Sequence, residues 1–234
     1  MLLTDAQRAY SEIKERIVTT VMRPGAVIEE AALMSELGLG RTPVREALKL
    51  LEAEKLVVVS PRRGMFVADV SLTDLRELEE VRIELESLCV RLAVQRMAPW
   101  ETEEMRRLVA ELKAYAPDGG PGDRLGGGSN GGSNGTAVVL APHAQAELLN
   151  LDRRFHALLR QGAHNGLLEA ECKMLFNLSL RMWYLFVDRI EPQDLNEDAF
   201  TEILEAIENK EVSRADKAMR RHILQFGESI KRYI

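Results

Sequence analysis

Arg41, Arg45 and Lys49 recur at four-residue intervals through LGLGRTPVREALKLLEAEKLV, residues 37–57, a segment otherwise rich in Leu, Val and Ala. Residues four apart share one face of a helix, so three cations line one flank, while Val44, Ala47, Leu48 and Leu51 form an apolar stripe at i, i+3, i+4 and i+7. Such a helix can be held to its own domain by one side and enter the roughly 12 Å major groove of DNA with the other. The planar arginine fork suits phosphate and guanine, and Thr42, beside Pro43 at the helix start, can donate to a phosphate. Arg62, Arg63 and Gly64, in a later PRRG turn, add a basic tip able to enter a minor groove or grip phosphate. The competing reading is a solvated face with ordinary charge pairs, in which Glu52 offsets Arg45 and Lys49.

The distribution of charge favours the first reading. The chain of 234 residues carries a net charge of −6. Residues 1–69 hold ten basic and ten acidic side chains, so the excess acid lies entirely beyond them. Within the neutral part, 41–63 has six cations against Glu46, Glu52 and Glu54. A ligand within about 10 Å feels that local patch before it feels the net charge. Cys89 and Cys172 provide no disulfide framework and read as buried free thiols, which suits a reducing cytoplasm. The opening MLLTDAQRAYSEIKERI mixes charges where a signal peptide needs an apolar run, and no segment reaches the roughly 18 apolar residues of a membrane span.

The elements that must position these residues follow from periodicity. Thr4 can cap a helix running to about Met22, with Ala9, Ile13, Ile17 and Val21 on one face, and RPG at 23–25 stops it. A second short helix fits 30–37, ending at Gly38. The third starts with Thr42 as cap and Pro43 at the first helical position. LVVVS, PRRG and MFVAD then read as a β-hairpin around Gly64. Three short helices and a hairpin within about 70 residues predict a winged helix-turn-helix over 1–70. From Ser71, capped with Asp74, only helices follow: the long one from Ser71, another in PWETEEMRRLVAELKAY, then 143–162, 165–188, 195–209 and 212–232. Residues 118–136 contain nine glycines and read as a flexible coil. The fold class is mainly α: a winged helix-turn-helix followed by an all-helical antiparallel bundle over 71–234.

GLGRTPVREALKLLEAEKLVVVSPRRGMFV resembles the winged helix-turn-helix of the GntR family of bacterial transcription regulators. VRIELESLCVRLA and NLDRRFHALLRQGAHN resemble segments of the helical ligand domain, called FCD, of its FadR-like branch. One departure falls in the DNA-reading segment, where Gly40 replaces the usual Ser or Thr and removes a phosphate-binding hydroxyl. The resemblance implies three histidines and one aspartate around a divalent ion at the floor of an effector pocket. Asp152 and His156, four apart on one helix, and His222 match three of those positions. The fourth, 22 residues ahead of His222, is Phe200. An aspartate and two imidazoles can still hold Zn, Ni or Mn as an open triad, the alternative being a metal-free polar pair of Asp152 and His156. His143 and His164 match no motif and are expected at the surface.

Arg181 stands beside Met182, Trp183 and Phe186 on an apolar helix, where a guanidinium needs an anionic partner. Arg82, with Glu86 four residues on, poses the same question. Both are candidates to hold the carboxylate of a small organic acid effector. The leading expectation is therefore a ligand-responsive, DNA-binding transcription regulator, a repressor acting as a cytoplasmic homodimer. Two helices about 34 Å apart read a near-palindromic operator better than one. The alternative is a helical metalloenzyme or metal-dependent binder using Asp152, His156 and His222, though no general base or nucleophile stands out near them.

Overall fold

The computed structural model describes residues 3–114, 142–186 and 197–232; the glycine run 118–136 and the end of the expected 165–188 helix lie outside them. The chain divides into two compact units. The first holds the residues up to Leu75 together with Phe176–Leu185, and the second holds Arg76–Leu175 and the residues after Leu185.

In the first unit, α1 spans Asp5–Val18. Thr4 caps it through a capping box: Gln7 N–H donates to the Thr4 hydroxyl at 3.2 Å, and Thr4 N–H donates to the Gln7 side chain at 2.9 Å. Ala9, Ile13 and Ile17 are buried as the spacing predicts. Val21 is not, because the helix stops at Val18 rather than Met22; Thr20 takes a positive φ of 58° and turns the chain, leaving Val21 75% exposed. β1 (Val27–Ile28) precedes α2 (Glu30–Leu37), which ends on left-handed Gly38.

α3 spans Arg41–Ala53 with Gly40 as its N-cap, so Thr42 is not the cap and Pro43 is the third helical residue rather than the first. The shift is tolerable because any of the first four N–H groups lacks an intrahelical acceptor, and a proline there removes a group that was already unpaired. Val44, Ala47, Leu48 and Leu51 are all buried. β2 (Val57–Ser60) and β3 (Gly64–Val67) form the wing, paired from Val57 with Val67 to Ser60 with Gly64. β1 pairs with the other edge of β3, a third strand too short to register as a period-2 pattern.

α4 (Leu72–Arg96) begins with the expected Ser71–Asp74 box, Ser71 N–H reaching Asp74 at 2.8 Å and Asp74 N–H reaching the Ser71 hydroxyl at 3.1 Å. The helices that follow are α5 (Pro99–Ala114), α6 (Pro142–Gly162), α7 (Gly166–Leu185), α8 (Glu197–Glu208) and α9 (Val212–Lys231). They bury one continuous cluster that includes Val94, Met105, Leu108, Phe155, Phe200, Ile203, Met219 and Ile223. The end of α7 instead joins the first unit, where Phe176 and Leu180 pack with the winged-helix core.

Gly227 on α9 lies directly beneath the buried Glu79 carboxylate of α4: a Cβ there would stand 1.2 Å from Glu79 Oε1 and 2.3 Å from its Cδ. Gly227→Ala should therefore swing the end of the Glu79 side chain aside, a cost opposed by the gain of about 0.5–1 kcal/mol from replacing a helical glycine, so the denaturant midpoint should move by less than the equivalent of about 1 kcal/mol.

Candidate nucleic-acid interface and metal centre

The cations expected to meet DNA are all solvent-facing. On α3, the Arg41 and Arg45 side chains are 70% and 54% exposed, and Thr42 and Lys49 are also exposed while Pro43 is half-buried. Arg62, Arg63 and Gly64 are exposed at the wing tip, where Arg62 (φ 65°) and Gly64 (φ 104°) take left-handed backbone to close the turn between Ser60 and Gly64. The structure brings Arg41 and Arg45 together on one carboxylate, that of Glu30 at the start of α2.

In the second unit, three side chains from two helices converge on one point. α6 places Asp152 and His156 one turn apart, and α9 brings His222 against them. His156 Nε2 is 3.1 Å from His222 Nε2 and 3.6 Å from Asp152 Oδ1, and His222 Nε2 is 3.7 Å from the same oxygen. Three atoms so spaced share a centre about 2 Å from each, the reach of Zn–N and Zn–O bonds. At His222 the protonation state suits the same task, and at Asp152 burial works against it. Burial, followed by the nearby His156 and Arg82, pushes the His222 imidazole down to about 3, so it is neutral and offers a lone pair. Burial pushes the Asp152 carboxyl up, with His156 and Arg82 opposing.

Glu86 on α4 completes the arrangement from behind. Its Oε2 lies 2.9 Å from His156 Nδ1, and its Oε1 accepts a 2.6 Å hydrogen bond from Arg82 Nε. Burial opposes the Glu86 charge, but Arg82 and His156 hold the carboxyl far below its usual range. A carboxylate on Nδ1 orients the ring by holding a proton there, so that in the neutral tautomer the Nε2 lone pair faces Asp152 and His222, the orientation typical of metal-bound histidine. The chain Arg82, Glu86, His156 is thus one unit, and the Arg82 guanidinium also lies 5.3 Å from the Phe226 ring centre.

Phe200 stands where the fourth ligand was expected. Its ring lies 4.8 Å from that of His222 and 4.6 Å from that of Phe155, centre to centre, so it closes the site with carbon. Arg160, one turn beyond His156, is buried, and the Glu86 carboxylate partly offsets the burial that pushes its guanidinium down. Sequence reasoning missed it, although Asp152, His156 and Arg160 at i, i+4 and i+8 signal one helix face.

Arg181 does not join this group. It is buried in the first unit, where it donates to the Ala68 carbonyl, and burial pushes its guanidinium down to about 10 against the pull of Asp74 and Asp69. An apolar helix shows that an arginine is buried but not against what, and here the partner is a backbone oxygen. His164 is exposed, 3.0 Å from Glu101, while the His143 side chain lies outside the described residues. Cys89 and Cys172 are buried free thiols; the contact with Cys172 and burial push the Cys89 thiol up, so it is inert.

Residues 5–67 match the family described as bacterial regulatory proteins, gntR family, and residues 134–225 match the FCD domain. The chain is 28% identical over 156 residues to the uncharacterized HTH-type transcriptional regulator YdhC of Bacillus subtilis; the match covers 67% of this chain and 59% of that relative's length. It is 26% identical over 191 residues to the HTH-type transcriptional regulator McbR of Escherichia coli, covering 80% and 74% of the two chains. It is 25% identical over 221 residues to the HTH-type transcriptional repressor GlaR of the same organism, covering 92% and 90%. Among solved structures, E. coli McbR/YncC superposes with a TM-score of 0.77 at 20% identity over 99% of both chains, a likeness of fold. With a winged helix-turn-helix ahead of an FCD-type helical domain, and relatives that are regulators rather than enzymes, the chain belongs to the gntR family of bacterial transcription regulators.

Proposed function

We propose that this regulator reads a near-palindromic operator as a homodimer in the bacterial cytoplasm, represses from it, and is modulated by a small organic acid bound in the helical domain. The observation that carries the reading is α3, whose apolar stripe is buried while Arg41, Arg45 and Lys49 stand off that stripe in solvent. GlaR carries the name of a repressor, which supports that direction of control. Two copies of α3 spaced by about 34 Å would fit successive major grooves.

Asp152, His156 and His222 would hold a divalent metal, Zn, Ni or Mn, in the helical domain. Such an ion supplies a fixed double positive charge to which an effector carboxylate can bind. Arg82 and Arg160, both buried in the same unit, add positive charge for an anionic effector. Arg181 donates to the Ala68 carbonyl in the first unit but keeps a buried Nε without a hydrogen-bond partner among the described residues, so it stays a second candidate for an anion. A thermal-shift series of small carboxylates, with and without Zn, tests this half of the reading: a carboxylate that stabilises only with metal present supports it, and neutral compounds outperforming every acid would refute it.

The DNA half is tested by fluorescence anisotropy on the duplex that the wild-type protein enriches from a random pool. Arg45→Ala should weaken binding by about 1–3 kcal/mol, or about 5- to 150-fold, without changing the fold, because Arg45 lies off the buried stripe. Arg41→Ala, Arg62→Ala and Arg63→Ala should weaken binding to all sequences and flatten its salt dependence. Wild-type affinity in Arg45→Ala would place the groove-reading element elsewhere.

A further inference from the structure

Glu30 is the acid that the basic interface does not explain. It opens α2, its side chain is only 19% exposed, and its partners among the described residues are Arg41 and Arg45. Arg45 Nε lies 3.2 Å from each carboxylate oxygen, and Arg41 Nε lies 3.6 Å from Oε2. A carboxylate in this position works against general attraction to DNA, since every phosphate that approaches the two arginines also approaches Glu30.

What the carboxylate supplies is orientation. A free arginine side chain carries about 2 kcal/mol of rotamer entropy, which must be lost when it docks on a base. Glu30 engages Arg45 through Nε, the inner atom of the guanidinium, and so leaves the two terminal amino groups available. Those are the atoms that make an end-on fork to O6 and N7 of guanine. Arg45 is thus fixed before DNA arrives, in the half of its geometry that does not read the base. We propose that Glu30 is a positioning residue for sequence reading, one that lowers affinity for DNA in general and raises discrimination between sequences. This rests on the DNA-reading role of α3 proposed above.

The test is Glu30→Gln, which keeps shape and removes charge, measured against the enriched duplex and a scrambled duplex of the same length. Affinity for the scrambled duplex should rise about threefold as one negative charge leaves the interface, and affinity for the enriched duplex should fall about threefold, so the ratio drops about tenfold. Loss of fold alone would lower both affinities together, and that result overturns the proposal. A rise in both at constant ratio also overturns it, since Glu30 would then merely compete with DNA for the arginines. Arg45→Ala, run in parallel, separates the two levels of inference: if it too leaves the ratio unchanged, the reading role of α3 fails along with the role of Glu30. In the DNA-free protein, the Arg45 Nε–H signal in NMR should exchange slowly with solvent in wild type and fast in Glu30→Gln. Equal exchange in the two would show that the carboxylate does not hold the guanidinium.

Discussion

Arg82→Met should lower the unfolding free energy by about 3–5 kcal/mol, because it leaves the Glu86 carboxylate buried without its strongest counter-charge. Both side chains are 4% exposed and joined by a 2.6 Å contact, so water cannot replace the guanidinium. Methionine keeps most of the volume, which confines the loss to charge and to the face of Phe226. The control is the double variant Arg82→Met with Glu86→Gln, in which no unpaired charge remains; it should recover a large part of the loss. Denaturant unfolding of the four corners of this cycle isolates the coupling. Additive losses, with Glu86→Gln no better than wild-type Glu86 in the Arg82→Met background, would mean that the pair is not coupled.

Phe200→His should raise metal affinity about tenfold or more. The Phe200 ring already lies 4.8 Å from the His222 ring, centre to centre, so an imidazole placed there adds a nitrogen donor to a triad whose three atoms already suit an ion. Four protein ligands close the coordination of a tetrahedral ion, whereas three leave one position to water or effector. Elemental analysis after dialysis against graded chelator reads the outcome, with circular dichroism to confirm that the loss of a buried phenyl has not unfolded the helix. Asp152→Asn should reduce metal content in both backgrounds. Equal retention by wild type and Phe200→His would show that position 200 does not reach the ion. A closed site should also respond less to carboxylates, since the position that an effector oxygen would take is filled.

How far the sequence reveals this molecule depends on whether the determining interactions are local. The α3 stripe, the α1 stripe as far as Ile17 and the Ser71–Asp74 cap are local, and they appear where spacing and cap chemistry put them, whereas Val21 falls past the end of α1. α3 caps at Gly40, two residues before the cap that spacing suggests, because Gly40 has no side chain with which to announce a cap while Thr42 next to Pro43 resembles one. β1 has two residues, too few to show any period, and exists because β3 offers it a free edge. At the candidate metal site, Asp152 and His156 declare themselves by spacing, and His222 and Phe200 were placed by family resemblance. The roles of Glu86 toward His156 and of Ala68 toward Arg181 were not legible, because each contact joins residues at least 70 positions apart. A buried arginine can be recognised from its neighbours in the chain, but its partner is a property of the folded molecule.

The wing tip carries a cost of another kind. Arg62 holds a backbone φ of 65°, a region where a residue with a long side chain is less stable than glycine or asparagine by roughly 1–2 kcal/mol. With Arg62 in the phosphate-contact role proposed above, selection for thermal tolerance alone should drift toward asparagine at position 62, and selection for grip on DNA should hold the arginine. One turn residue would thus answer to two opposed pressures, and relaxing selection on operator binding should show at position 62 as replacement of arginine by asparagine.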